Sequence, residues 1–291
     1  MKSGEVAIIG RPNVGKSTLI NRIIGKKISI VSSKAQTTRN SILGIYNDQD
    51  SQILFMDTPG IHKPFNELGK ALDKVSYGVI READLAIFMI DASKKEDESD
   101  EFLYEHIKFD CPLILVFNKI DETNIVLIDQ LKSKYLCKFP KAIAIEICAL
   151  DGFNVDLLIK TIKNLLPEGP KYYDDDTSTN QDVSFHISEL IREQLLKLLK
   201  EEVPHGCFVD IDQIEMKKNE CLIHARIIVE KDSQKGIIIG KGGAMIKRIG
   251  IYSRQEIEKY VGKHVILDLM VQLVENWRNS SSFLNKFGYK I

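Results

Sequence analysis

The chain has 291 residues, 44% of them hydrophobic and 28% charged, with 40 Lys and Arg against 41 Asp and Glu for a formal net charge of -1. That length and apolar content can fill one large core or two ordinary ones, and they exclude intrinsic disorder over most of the chain. The longest apolar runs, Leu85–Ile90 and Leu113–Phe117, are too short to span a bilayer. Met1–Glu5 lead straight into a strand-like segment with no secretory apolar stretch. The five cysteines (111, 137, 148, 207, 221) contain no C-x-x-C pair, and the histidines lack ligand spacing. Reduced thiols in a cytoplasmic protein are expected, rather than a disulfide or zinc framework.

In chain order, the first part alternates short apolar runs with longer amphipathic stretches. Strands are predicted at Val6–Ile9, Ile42–Tyr46, Ile53–Met56, Leu85–Ile90, Leu113–Phe117 and Ala142–Ile147. Helices are predicted at Lys16–Ile24, Glu67–Glu82, Glu98–Lys108, Ile125–Lys134 and Asn154–Leu165. This alternation implies an α/β fold with a mostly parallel six-stranded sheet covered on both faces. Only Asn47–Ser51 separates the second and third strands, so they should form an antiparallel hairpin at a sheet edge. The pattern covers residues 1–167. Residues 168–183, with Gly169, Pro170 and the acidic run Asp174–Asp176, read as a linker. A second domain is expected over 184–291: helix Ser184–Glu201, strands Phe208–Met216 and Cys221–Val229, helical segments flanking Gly240–Gly243, strand His264–Leu273, and a last helix from about Glu275 to Lys286.

Charge divides unevenly between these parts. Residues 1–183 carry 23 basic against 27 acidic side chains, and 184–291 carry 17 against 14. Lys235–Ile291 alone holds 10 against 4, which suggests a polyanionic partner at that end, the alternative being a solvated basic face.

Gly10-Arg11-Pro12-Asn13-Val14-Gly15-Lys16-Ser17 matches G-x-x-x-x-G-K-[ST] between a strand and a helix. Glycines there let backbone N–H groups approach phosphates, and the helix N-terminus favours anions. Lys16 would neutralise β- and γ-phosphates, and Ser17 would offer an oxygen to Mg²⁺. The motif specifies a nucleoside triphosphate but neither a base nor a reaction. Asp57-Thr58-Pro59-Gly60 ends the third strand, where Asp57 can hold Mg²⁺ through water and the Gly60 N–H can sense a γ-phosphate. Asn118-Lys119-Ile120-Asp121 ends the fifth strand. The Asp121 carboxylate can accept from both N1–H and N2–H₂ of guanine, donors that adenine lacks, and such a site rejects the wrong base by roughly 10⁴–10⁵-fold. Cys148-Ala149-Leu150, after the sixth strand, is placed to touch the base through its backbone.

These elements resemble the G-domain of the translation-factor-related GTPases. Ala35-Gln36-Thr37-Thr38-Arg39 resembles the first switch of the Era family. By that resemblance Thr38, or failing it Thr37, contacts Mg²⁺ and the γ-phosphate. The family usually has proline at Ala35 and serine at Cys148. Ile61 stands where small signalling GTPases carry a water-orienting glutamine, so slow intrinsic turnover is expected, with transition-state charge supplied from elsewhere. Asn13 lies where a related group of GTPases binds K⁺, and its alternative role is to cap the loop. The catalytic set thus implied is Lys16, Thr38, Gly60 and, through K⁺, Asn13.

Gly236–Gly250 contains Ile239-Gly240-Lys241-Gly242-Gly243 between two apolar helical stretches, and resembles a type II KH domain of α+β build, whose G-x-x-G loop clamps about four nucleotides. Gly240, Gly242 and Gly243 permit close approach of an RNA backbone, and Lys241, Lys247 and Arg248 add charge. Gly242 stands where a second phosphate loop would need Ser or Thr. G-domain, linker and KH domain together resemble the Era family over essentially the whole chain. The resemblance implies a monomeric GTP/GDP switch that binds small-subunit (16S) ribosomal RNA, acts in small-subunit maturation, and in some members touches the membrane peripherally. Two other readings are an RNA-binding adaptor with incidental hydrolysis and a membrane-associated GTPase. The glycine loop speaks against the latter, because lipid attraction needs charge but no glycine geometry.

Overall fold

Successive residues of a strand point to opposite sides, so a strand apolar throughout must feed two cores. In β1 (Lys2–Ile9), Val6 and Ile8 enter one core and Ala7 and Ile9 the other. β4 (Leu85–Asp91) and β5 (Leu113–Asn118) divide alike, with Ile87, Met89, Ile114 and Val116 on the first side and Phe88, Ile90, Leu115 and Phe117 on the second. Leu19 and Ile20 of α1 (Lys16–Ile24) and Leu158 and Ile162 of α5 (Val155–Leu165) close the first side. Ile80 of α2 (Glu67–Glu82), Leu103 of α3 (Glu98–His106) and Leu131 and Tyr135 of α4 (Ile125–Lys138) close the second. Each such aliphatic side chain contributes about 1.5–3 kcal/mol by leaving water.

This computed structural model describes residues 1–32, 34, 37–60, 66–95 and 98–289. The chain divides into two units, Met1–Phe65 with Gly69–Asn180 and Gln181–Ile291 with Asn66–Leu68. With β2 (Ile42–Asn47), β3 (Ser51–Asp57) and β6 (Ile143–Glu146), the first unit's sheet runs β2-β3-β1-β4-β5-β6. β2 is antiparallel to β3, and the other neighbouring pairs are parallel. Asp48 shapes the hairpin turn by accepting from the Asp50 and Ser51 N–H groups, and it also accepts from Lys163 of α5. α4 runs a turn beyond the predicted Lys134, because Ile128, Leu131 and Tyr135 continue one buried stripe.

Residues 168–180 lie along this sheet. Gln52 Oε1 accepts from the Tyr172 and Tyr173 N–H groups, and Ile45 N–H of the edge strand β2 donates to Ser178 O at 2.9 Å. This part of the stretch read from composition as a linker is hydrogen-bonded to the first unit, which supplies partners that its polar backbone needs.

The second unit runs α6 (Val183–Leu198), β7 (Phe208–Met216), β8 (Glu220–Val229), α7 (Asp232–Ile239), α8 (Ala244–Val261), β9 (His264–Leu273) and α9 (Ser281–Lys286). Its sheet is β7-β8-β9, antiparallel then parallel, with Ile223, Ile227 and Val265 buried against Ile191, Ile249 and Ile257. The single last helix expected from Glu275 is a correction. Asn276 takes φ +51°, Trp277–Asn279 form a 3₁₀ turn, and extended Ser280 accepts from Phe283 N–H to start α9 afresh. Burial of Trp277, whose Nε1 donates to Gly206 O at 3.0 Å, holds this break in place.

Candidate functional site

The C-terminal ends of β1, β3, β4 and β5 meet on one sheet edge, where crossovers of a parallel sheet leave a crevice. The loop after β1 forms its floor. Gly15 has φ +106°, and a Cβ there would come within 2.3 Å of Asn118 Nδ2, so the position demands glycine. Lys16 is buried and donates to Gly10 O at 3.0 Å and Arg11 O at 2.9 Å. Burial pulls its pKa down to about 8, with the Asp57 carboxylate acting in the opposite direction. The Arg11 guanidinium pairs with Asp100 of α3 at 2.9 Å, behind the loop. Asn13 (φ +65°) and Pro12 line the crevice, and Val14 is in the core.

Asp57 is fully buried where β3 ends. Its Oδ2 accepts from Ser17 Oγ at 2.7 Å and from Ser29 Oγ at 2.8 Å, with Thr38 Oγ1 at 3.5 Å and Ser17 Oγ 3.1 Å from Thr38 Oγ1. Its Oδ1 is buried with no hydrogen-bond partner among the described residues. Burial pushes this carboxyl upward, while Lys16 and the three hydroxyls favour its ionised form. An ionised carboxylate with an unused oxygen beside two hydroxyls fits a hydrated divalent cation. Thr58 Oγ1 donates to Ile8 O at 2.7 Å, Pro59 O accepts from Ser76, and Gly60 lies against Pro12. Ile61, Ala35 and Gln36 lie outside the described residues.

At the far end Asn118 joins the two halves of the crevice. Its Nδ2 donates to Val14 O at 2.7 Å, and its Oδ1 accepts from Ala149 N–H at 2.9 Å. Lys119 Nζ pairs with Asp91, at the end of β4, at 2.6 Å. Ile120 opens a 3₁₀ turn carrying Asp121, which faces the cavity with Cys148, Ala149 and Leu150. Burial raises the Cys148 thiol, and hydrogen bonding to the Asp121 and Asp151 carboxylates raises it further. Arg22 of α1 donates to Leu150 O. The open-mouthed cavity of 580 Å³ suits a nucleotide. Ser29, Asp91, Asp100 and Lys94 were not singled out from sequence. Asp91, a carboxylate ending a parallel strand at this edge, had a signal that could have found it.

In the second unit Gly240 has φ +71°, and a Cβ there would meet Met245 N at 2.9 Å. Gly242 (φ +59°) and Gly243 (φ +79°) face open space, Gly243 capping α8. Lys241, Lys247 and Arg248 are exposed around this loop. Beside them a groove of 430 Å³ runs between α8 and β9, lined by Ile246, Gly250, Ile251, Ile266 and Leu269. Sequence reading missed it, because it takes two elements distant in the chain to form it.

Residues 5–119 match the family model described as 50S ribosome-binding GTPase, and 202–278 match the KH domain model. Fold and site thus define a GTPase built from a G-domain and a KH domain. The chain is 45% identical over 292 residues to the GTPase Era of Alkaliphilus metalliredigens (99% of each chain) and 47% identical over 294 residues to that of Caldicellulosiruptor saccharolyticus (100% of this chain, 98% of the relative). It belongs to the Era family of GTPases. Over the full length of both chains it superposes with TM-score 0.95 and 40% identity on Era in complex with MgGDPNP and nucleotides 1506–1542 of 16S ribosomal RNA. The corresponding values are 0.94 and 39% for an Aquifex aeolicus Era variant bound to GDP·AlF₄⁻, again over all of both chains. Among the described residues no helix is long and apolar enough to cross a membrane.

Proposed function

We propose that this GTPase is a nucleotide-driven switch that holds 16S ribosomal RNA with its KH domain during small-subunit assembly, with 1–167 as the G-domain, 168–183 as the connection and 184–291 as the RNA-binding domain. The observation that carries this is the convergence of the phosphate loop, the Asp57 cluster and the Asn118–Asp121 turn on one cavity. The Gly10 and Arg11 carbonyls take two of the three Lys16 N–H donors and aim the ammonium, whose remaining donor and charge serve the phosphate oxygens of a triphosphate in that cavity. Asp121 reads guanine, while Asn118 positions the phosphate loop and the Cys148–Leu150 loop together. Ser17, Thr38 and, through water, Asp57 hold Mg²⁺, which when bound neutralises charge on the transferred phosphoryl group. Gly60 N–H and Thr38 sense the γ-phosphate. Asn13 is the residue placed to hold K⁺ beside the phosphates.

RNA backbone crosses Gly240–Gly243 and is held by Lys241, Lys247 and Arg248, with bases seated in the apolar groove between α8 and β9. The relative solved with nucleotides 1506–1542 of 16S RNA supports this choice of RNA. The family resemblance adds a monomeric state and peripheral membrane contact, which sedimentation with and without anionic vesicles tests. Sequencing the RNA crosslinked to the purified protein tests the main reading. Crosslinks concentrated near the 3′ end of 16S RNA are expected, and an even spread over unrelated RNAs would contradict it.

A further inference from the structure

We propose that Ser29 is a positioning residue for the Asp57 carboxylate, fixing it in the orientation that holds hydrated Mg²⁺. The inference rests on the reading of Asp57 given above. Ser29 belongs to no motif and lies in the loop between α1 and β2. It is 1% exposed, and its hydroxyl donates to Asp57 Oδ2 at 2.8 Å. One side chain fixes its backbone from both sides. Asn21 Oδ1 accepts from Ser29 N–H at 3.0 Å, and Asn21 Nδ2 donates to Ser29 O at 2.7 Å. Asn21 sits on α1, the helix that begins with Lys16 and Ser17, so this clamp ties Ser29 to the frame of the phosphate site.

The division of labour on the carboxylate follows from its two oxygens. Ser17 and Ser29 both occupy Oδ2, and Oδ1 is left without a partner. Ser17 and Thr38 also turn oxygens toward the cation in the proposed site, and Thr38 follows the first switch. Ser29 does neither. Asn21 holds the backbone from which Ser29 presents its donor to Oδ2. Holding Oδ2 fixes the plane of the carboxylate and with it the direction in which Oδ1 is presented. A hydrogen bond to a charged group is strong enough for its loss to weaken binding by roughly tenfold.

The test is the dissociation rate of a fluorescent N-methylanthraniloyl-GDP from the full chain across a series of free Mg²⁺ concentrations and in EDTA. Ser29→Ala should need roughly tenfold more Mg²⁺ to retain the nucleotide, with its rate in EDTA unchanged. Asn21→Ala, which loosens the clamp but keeps the hydroxyl, should move the midpoint the same way by less. An unmoved midpoint in Ser29→Ala overturns the proposal, as does an acceleration equal with and without Mg²⁺, which would mean general loosening. Asp57→Ala separates the layers. A shifted midpoint there beside an unshifted one in Ser29→Ala removes Ser29 alone, whereas no shift in Asp57→Ala removes the reading of Asp57 and this inference together.

Discussion

In the proposed site Asp121 carries the choice of base, and the chemistry of that choice is testable with a single atom exchange. In Asp121→Asn the amide can donate to the 2-oxo group of xanthine but cannot accept twice from guanine. GTP affinity should fall by roughly two orders of magnitude or more while xanthosine triphosphate gains, measured by competition against labelled GDP. Full GTP preference in the variant would remove Asp121 from base reading. Asn13 makes a separate prediction. Hydrolysis should run faster in potassium than in sodium at equal ionic strength, and Asn13→Ala should erase most of the difference. Equal rates in both salts for the intact chain would exclude that role. Residues of this kind were legible in the sequence because each sits at a fixed spacing from a strand end or glycine. Ser29 and Asp100 were not, because Asp57 and Arg11, their partners, are brought to them only by the fold. Nothing local distinguishes a serine bonded to the Asp57 carboxylate from one in a plain loop.

At the scale of elements, the β2–β3 hairpin has a pH dependence that follows from Asp48. Burial opposes its ionisation, but hydrogen bonds from Lys163, Ser51, the Asp50 amide and Tyr46 outweigh this and hold its pKa at about 2, below the ordinary 3.8. The folded pKa is the lower one, so the contribution is complete above the unfolded value and is lost as pH falls toward about 2. Solvent screening limits it to about 1 kcal/mol. Asp48→Asn should therefore be less stable by about 1 kcal/mol at pH 6, with the gap to the natural chain narrowing toward pH 2.5 in urea unfolding. A gap independent of pH would contradict this. The RNA loop gives a second test. Gly240→Asp would push Met245 off the start of α8, so loss of binding there would report misfolding as well. Gly243→Asp meets open space and pays only the cost of φ +79°, about 1–2 kcal/mol. That variant should fold, bind GDP normally and lose at least roughly tenfold in RNA affinity by filter binding. The strand–helix alternation was readable because both faces of the sheet are apolar. The break before α9 was not, since it depends on Trp277 being buried and bonded to Gly206 across the fold.

Over the whole molecule, residues 168–180 acquire a meaning their composition hides. They are hydrogen-bonded to Gln52 and, through Ser178, to Ile45 of β2, the strand that follows Thr38. The segment leading into the RNA-binding unit is thus anchored on the strand that leaves the first switch. A switch requires that nucleotide and RNA bias each other, and linkage makes the effect reciprocal, commonly 5–150-fold. The central claim is tested most directly by the affinity of the full chain for an RNA ending in the 3′ sequence of 16S RNA, measured with a GTP analogue, with GDP and without nucleotide. Unequal affinities, with GTP analogue and GDP differing by at least roughly fivefold and Gly243→Asp weakened at least roughly tenfold in each state, are the predicted result. Identical affinities in the three states would mean two independent modules on one chain, and would contradict the account.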